Sequence, residues 1–282
     1  MNLNYSIEDL KTTYCTHFSS CDVIYLSSSL GLLGSISNSL NIRSGSDLAR
    51  IHLDIIFDVL TSSQTLLIPG FTYSFSHAPN KISLFSLSDS PPLIGDLPLS
   101  AFASGMFSRS IDPFLSIFVY GPATADLITD LPFTSYGVDS IFERLRSLST
   151  RVVSVGLGEH WLPFMHYADF LSKTPFRYPK NFIGDIITPE TTLTSVNWTY
   201  DVRLPIQNTY PHTYKLASMC TPSADSIYSP LGRSSVFSFD YSIALEASLP
   251  IIQRDPWISV VGPPLSRSEV QIQKCADVSK IS

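Results

Sequence analysis

Four short apolar runs, Asp22–Leu26, Thr65–Ile68, Ile117–Tyr120 and Val152–Val155, are separated by stretches whose apolar residues recur at helical spacing. Runs this short, rich in β-branched residues and bounded by Gly, Pro and Ser, predict buried strands. Between the first two, Leu48, Ile51, Ile55, Ile56 and Val59 share one face of a helix over 46–60. Ser6, followed by Glu8 and Asp9, predicts a helix over 6–16, because a helix N-terminus favours a hydroxyl cap and negative charge. Further helices are predicted over 97–106, from 139 or 140 to 145, and over 164–171. The alternation argues an α/β fold with a central mixed, mainly parallel sheet flanked by helices. At 282 residues, with 44% hydrophobic and 15% charged residues, the chain can bury a large core.

From about residue 180 the pattern changes. Val196–Arg203 and Val236–Asp240 alternate like antiparallel or edge strands, and a helix is predicted over 241–254. The expected organisation is a catalytic α/β core over 1–185, a small α+β annex of the same domain over 186–260, and a loosely ordered tail over 261–282. The Ser- and Pro-rich stretch 77–96 reads as one long loop.

A net charge of −6 and scattered Lys and Arg residues argue against nucleic acid as a partner. Cys15, Cys21, Cys220 and Cys275 have no zinc-ligand or disulfide-framework spacing, so no metal is expected. The first residues carry acids and no apolar core, unlike a signal peptide, and no apolar run approaches membrane length. These features predict a soluble, cytoplasmic protein without membrane insertion. A homodimer stays open.

Chemistry concentrates in the stretch Arg151–Asp169. Its strand ends in Gly156-Leu-Gly158, where glycine permits positive φ or close approach to a ligand. Glu159 and His160 follow in the loop, and His166 and Asp169 fall three residues apart on one helix face. An imidazole beside a carboxylate at the carboxyl end of a strand suits proton transfer; a core histidine satisfied by an acid has the same spacing. After the first strand, Ser27-Ser-Ser-Leu-Gly-Leu-Leu-Gly34 offers small residues whose amides could face a ligand, though without a Walker signature it also reads as an ordinary turn. Past the second strand, Phe71-Thr-Tyr-Ser-Phe75 alternates aromatics with hydroxyls, as a substrate wall or a packed strand end would.

In this order the loops resemble the aminoglycoside 3-N-acetyltransferase family, whose members transfer an acyl group from coenzyme A to amines on sugars. Leu26–Gly34 is similar to its His-Ser-Ser-Leu…Leu-Gly loop, and Thr65–Phe75 to its Pro-Thr-Phe-Thr-Tyr-Ser-Phe segment. Arg109-Ser-Ile-Asp-Pro-Phe-Leu-Ser116 resembles Arg-Ser-x-His-Pro-x-His-Ser, and Gly156-Leu-Gly…His166-Tyr-Ala-Asp169 its Gly-Val-Gly…His-x-x-Glu signature. The agreement spans roughly residues 20 to 185. Phe176–Gly184 and Thr199–Arg203 look like a branch encoded with surface-polysaccharide genes. The chain departs from the pattern where Ser27, Asp112 and Leu115 stand in place of histidines and Asp169 in place of Glu.

The resemblance implies an acyl-coenzyme A-dependent N-acyltransferase, with acetyl-CoA as co-substrate, acting by direct transfer on an amine of a small amino sugar or sugar nucleotide. In that scheme His166 is the general base, oriented and made more basic by Asp169, and Asp112 holds the ammonium as an ion pair or shares the base role. Amides of Ser28, Ser29, Leu30 and Gly31 receive the thioester oxygen. Arg109, with Ser110 and Ser116, reaches coenzyme A; a loop-orienting role or an internal ion pair is the other reading of that Arg. Thr72, Tyr73, Glu159 and His160 contact the acceptor. The missing histidines leave two alternatives: a silent relative that binds coenzyme A or a glycan, and an acyltransferase with a different donor or a hydroxyl acceptor.

Overall fold

The computed structural model describes residues 4–37, 42–76, 83–159 and 163–278. In chain order the strands begin with β1 (Asn4–Tyr5), β2 (Val23–Ser28), β3 (Ser35–Ile36), β4 (Thr65–Pro69), β5 (Leu84–Ser86) and β6 (Ser108–Arg109). They continue with β7 (Ile117–Tyr120), β8 (Thr150–Val155), β9 (Arg177–Ile187), β10 (Thr192–Arg203), β11 (Ile227–Leu231) and β12 (Ser234–Asp240). The α-helices are α1 (Ile7–Phe18), α2 (Gly45–Val59), α3 (Asp96–Ser104), α4 (Thr124–Ile128) and α5 (Ile141–Arg144). After them come α6 (Met165–Leu171), α7 (Tyr214–Cys220), α8 (Tyr241–Arg254) and α9 (Arg267–Val278).

A seven-stranded sheet in the order β11-β12-β8-β2-β4-β7-β6 carries the fold. Its centre is parallel, β2 pairing with both β8 and β4. Side chains alternate along each central strand: Val23, Tyr25, Leu67 and Val152 enter one apolar cluster, and Ile24, Leu26, Leu66, Ile68, Val153 and Val155 enter the other. Both faces are therefore covered, which is why these strands read as continuous apolar runs. Helix starts follow local chemistry: Ser6 and Asp9 form a capping box, and Asp240 Oδ1 accepts the amide of Ile243.

The sheet is mixed and flanked by helices, but the expectation of mainly parallel pairing is corrected. Outside the centre, β12–β8, β11–β12, β4–β7 and β6–β7 are antiparallel. Strands β11 and β12 form a tight hairpin, and a short connection of that kind permits only antiparallel pairing. The boundary drawn at 185 falls inside β9, and within 186–260 the strands β11 and β12 join the main sheet beside β8 while β10 pairs with β9. Strands β9 and β10 form a long hairpin, which β5 joins to make a three-stranded sheet.

Two other segments differ from expectation. Within 77–96, residues 84–86 pair with β9 as β5; 77–82 lie outside the described residues. The supposed tail contains α9, which buries Val270 against Phe176, Tyr178 and Trp257. Tyr178 donates its hydroxyl to Asp277, and Lys180 Nζ lies 3.0 Å from the same carboxylate.

Candidate active site

At the carboxyl ends of β2 and β4 lies a cavity of about 530 Å³. Tyr25, Leu26, Ser27 and Ser28 form one wall, and Pro69, Phe71 and Tyr73 another. Ile94, Gly95 and Pro98 close the α3 side; Leu157, Pro163, Met165 and His166 come from the loop after β8 and from α6. Pro211 and Thr213 complete it from the chain's last third. Carboxyl ends of parallel strands are where open α/β sheets place ligands. Among the described lining residues there is no carboxylate, Lys or Arg. The polar groups are hydroxyls and one imidazole.

His166 is brought to the cavity as expected, with its side chain about a third exposed (32%), but its partner is not the expected one. Asp169 Oδ2 stands 4.0 Å from Nδ1, beyond hydrogen-bond reach, because the guanidinium of Arg177 takes both groups. Arg177 Nε donates to Asp169 Oδ2 at 3.0 Å, and its Nη2 meets His166 Nδ1. Arg177 Nη1 donates to the Asp201 carbonyl, and Ser259 donates to Asp169 Oδ1. Burial, and then the charge of Arg177, lower the imidazole to about 4 against the opposing pull of Asp169. Asp169 does pull the imidazole upward, as expected, but burial and Arg177 outweigh it, and the carboxylate's own hydrogen bond goes to the buried arginine.

The predicted cofactor loop is only partly at the cavity. Ser28 lines it, as does Ser27. The Ser29 amide is engaged by the Val155 carbonyl at 2.8 Å, Leu30 is buried in the core, and the Gly31 carbonyl accepts Arg233 Nη2. Gly156 explains the close seating of this loop. At φ +78° it has no Cβ, and one built there would stand 2.4 Å from the Ser29 carbonyl oxygen. The glycine thus admits the chain's own backbone, where the sequence suggested a ligand.

Arg109 does not face the cavity either. Its donors reach Ser116 Oγ and the carbonyls of Leu87, Ser90 and Gly70, and Phe85 and Phe118 cover its face. Burial lowers it to about 10. Ser110 Oγ accepts the Ile117 amide, and Ser116 donates to the Gly70 carbonyl. All three brace the loop between β6 and β7, which for Arg109 is the loop-orienting reading.

Asp112 is likewise engaged within that loop. Its Oδ1 accepts the amides of Phe114 and Leu115 at 2.8 and 2.9 Å, and burial raises the carboxyl to about 6 against those bonds. The residue is 5% exposed and is not part of the cavity wall. Thr72 donates to the Pro113 carbonyl and is also off the wall. Tyr73 is on it, at φ +51°, a backbone conformation rare for a bulky side chain. Glu159 is exposed and not part of the lining; His160 lies outside the described residues.

Two residues of the site were not singled out by sequence. Arg177 opens β9, and the signal for it was the need of a fully buried Asp169 for a cation. Tyr25 sits on β2 two residues before Ser27, 2% exposed, with no hydrogen-bond partner for its hydroxyl among the described residues. Its apolar neighbours in the sequence hid it as a core residue.

Against known proteins, the model of the family described as aminoglycoside 3-N-acetyltransferase matches residues 46–216. No curated protein matches the chain. Solved structures with the same fold include the aminoglycoside acetyltransferase AAC(3)-IVa apoenzyme, at TM-score 0.68 and 17% identity, covering 97% of this chain and 98% of that one. The binary complex of AAC-IIIb with CoASH superposes at TM-score 0.71 and 16% identity, over 92% of this chain and 99% of that one. The YokD protein from Bacillus subtilis does so at TM-score 0.70 and 11% identity, over 90% and 95%.

Proposed function

Because the chain belongs to the aminoglycoside 3-N-acetyltransferase family, and is thereby an N-acetyltransferase using acetyl-coenzyme A, we propose that its acceptor is a single amine on a small sugar or sugar nucleotide. The observation that carries this reading is the cavity wall: apolar surface, hydroxyls and one imidazole, with no carboxylate among the described lining residues. A polycation would leave several ammonium groups without a counter-charge in such a place, at a cost of several kcal/mol each once desolvated.

In this reading the thioester lies along Ser27 and Ser28, its acyl group against Phe71 and Leu157, and the amine enters between Tyr73 and His166. Holding the two reactants in line supplies the proximity contribution. Transfer is direct: no cysteine lines the cavity among the described residues, and no covalent intermediate is needed. Hydroxyl donors of Ser27 and Ser28 replace the expected amides of Ser29, Leu30 and Gly31 as partners of the thioester oxygen, each donor typically worth ~3 kcal/mol in such sites.

An aminoglycoside acceptor is the second reading, favoured by the family match and by a solved relative, a mutant of AAC(3)-IVa in complex with a gentamicin. Mass spectrometry after incubation with acetyl-coenzyme A separates the two. Panels of free amino sugars, nucleotide-linked amino sugars and aminoglycosides are compared, and an acetyl mass gain confined to aminoglycosides overturns the small-acceptor reading.

A further inference from the structure

We infer that Arg177 fixes His166 in the Nε2–H tautomer, so that the imidazole serves acetyl transfer as a hydrogen-bond donor and not as the general base. The inference rests on the N-acetyltransferase reading above. It begins with the contact between the Arg177 guanidinium and His166 Nδ1. A guanidinium has donors and no acceptor, so the ring nitrogen it meets must offer a lone pair. A neutral imidazole then carries its proton on Nε2. That is the nitrogen left for the cavity, and it has no hydrogen-bond partner among the described residues.

Among the described residues, the charged groups acting on the ring support the neutral form or are already engaged. From β9, Arg177 disfavours a second positive charge, and Arg203 on β10 does the same from farther away. Asp169 on α6 favours the charged form, but its Oδ2 is held by Arg177 and its Oδ1 by Ser259. Asp201 gives Arg177 its backbone carbonyl.

A donor at this place is of use where negative charge develops, and would only quench a nucleophilic lone pair. The amine must therefore arrive as the free base, which a wall without carboxylates among its described residues favours by disfavouring its ammonium form. The amine lone pair then attacks the thioester carbonyl. The C–N bond forms while the carbonyl electrons move to oxygen, where Nε2–H donates. The oxygen electrons return, the C–S bond breaks, and the extra amine proton passes to the departing thiolate. The products are an amide and CoASH. His166 touches the reacting oxygen; Arg177 is a positioning residue that acts through it.

The test is nitrogen NMR of the uniformly ¹⁵N-histidine-labelled protein without substrates, with the His166 signals identified by their loss in His166→Gln. The expected result is an Nε2–H tautomer that does not titrate between about pH 5.5 and 8. An Nδ1–H tautomer, or protonation with a midpoint near the ordinary value of about 6.5, overturns the inference. Arg177→Met is the second arm. It should release the tautomer preference and raise the protonation midpoint; an unchanged ring in the folded variant also overturns it. Since no substrate enters these spectra, a wrong acceptor class leaves them standing. A wrong tautomer would in turn leave acetyl transfer intact and return the base role to His166.

Discussion

Ser259 donates its hydroxyl to Asp169 Oδ1 at 3.0 Å, across 90 residues of sequence. Both residues are fully buried, and the bond ties the chain's last third to the helix that carries His166. Ser259→Ala leaves a buried carboxylate oxygen without a donor, while Arg177 still holds its neighbour. The expected loss is about 2 kcal/mol of unfolding free energy, read as a lower urea midpoint at unchanged slope. An unchanged midpoint would mean that water replaces the hydroxyl.

Asp112 makes a prediction about pH. Burial raises its carboxyl from 3.8 to about 6, so the folded chain holds this proton more tightly than the unfolded one. A raised carboxyl removes stability as pH climbs from about 4 to 6, and the penalty is complete above that window. For a shift of this size it is on the order of 3 kcal/mol. Asp112→Asn keeps an oxygen for the Phe114 and Leu115 amides and has no charge to desolvate. Its stability relative to the native chain should therefore improve between pH 4.5 and 7.5, as measured by urea unfolding at about those two values. Parallel pH profiles for the two proteins would refute the assignment.

Arg109→Met separates bracing from cofactor binding. The substitution keeps bulk against Phe85 and Phe118 but strips donors from Ser116 and from the carbonyls of Leu87, Ser90 and Gly70. A stability loss of about 3 kcal/mol is expected, with the KM for acetyl-coenzyme A changed less than about twofold in the folded fraction. A tenfold rise in that KM with stability intact would restore the arginine to the cofactor.

Gly156→Ala tests how β8 seats the loop that ends β2. A methyl group at φ +78° and 2.4 Å from the Ser29 carbonyl cannot be accommodated without moving Ser28 and Ser29. We expect about 3 kcal/mol of destabilisation and a higher KM for acetyl-coenzyme A, because Ser28 is on the cavity wall. Destabilisation with unchanged kinetics would place the thioester elsewhere.

The central strands were legible because both faces of the sheet are buried, which turns β2, β4 and β8 into unbroken apolar runs. The mix of directions was not: β6 has two residues, and β11 contains Pro230 at an edge where proline is tolerated, so neither looks like a strand. Helix α9 escaped notice because its buried contribution is essentially Val270 on an otherwise polar surface. At the site, His166, Tyr73 and Ser28 could be read from local motifs. Arg177 could not, since its meaning lies in a three-way contact with α6 and β10, and periodicity reports burial without reporting partners. The same limit holds for Arg109 and Asp112: a charged residue in a motif looks alike whether its partners are substrates or backbone.

Tyr25→Phe brings stability and function into opposition. The Tyr25 hydroxyl is buried, borders the cavity and has no hydrogen-bond partner among the described residues. Removing an unsatisfied buried hydroxyl spares its desolvation cost, so the ligand-free variant should be more stable by about 1 kcal/mol. A buried hydroxyl that borders the cavity without a protein partner among the described residues makes physical sense if a ligand accepts from it. With substrates present the same change should lower kcat/KM about tenfold, the worth of one hydrogen bond of about 1.4 kcal/mol. Thermal unfolding and steady-state kinetics on one preparation decide the matter. A variant that gains stability and keeps full activity would show Tyr25 to be core, and one that loses stability would show that ordered water already satisfies the hydroxyl.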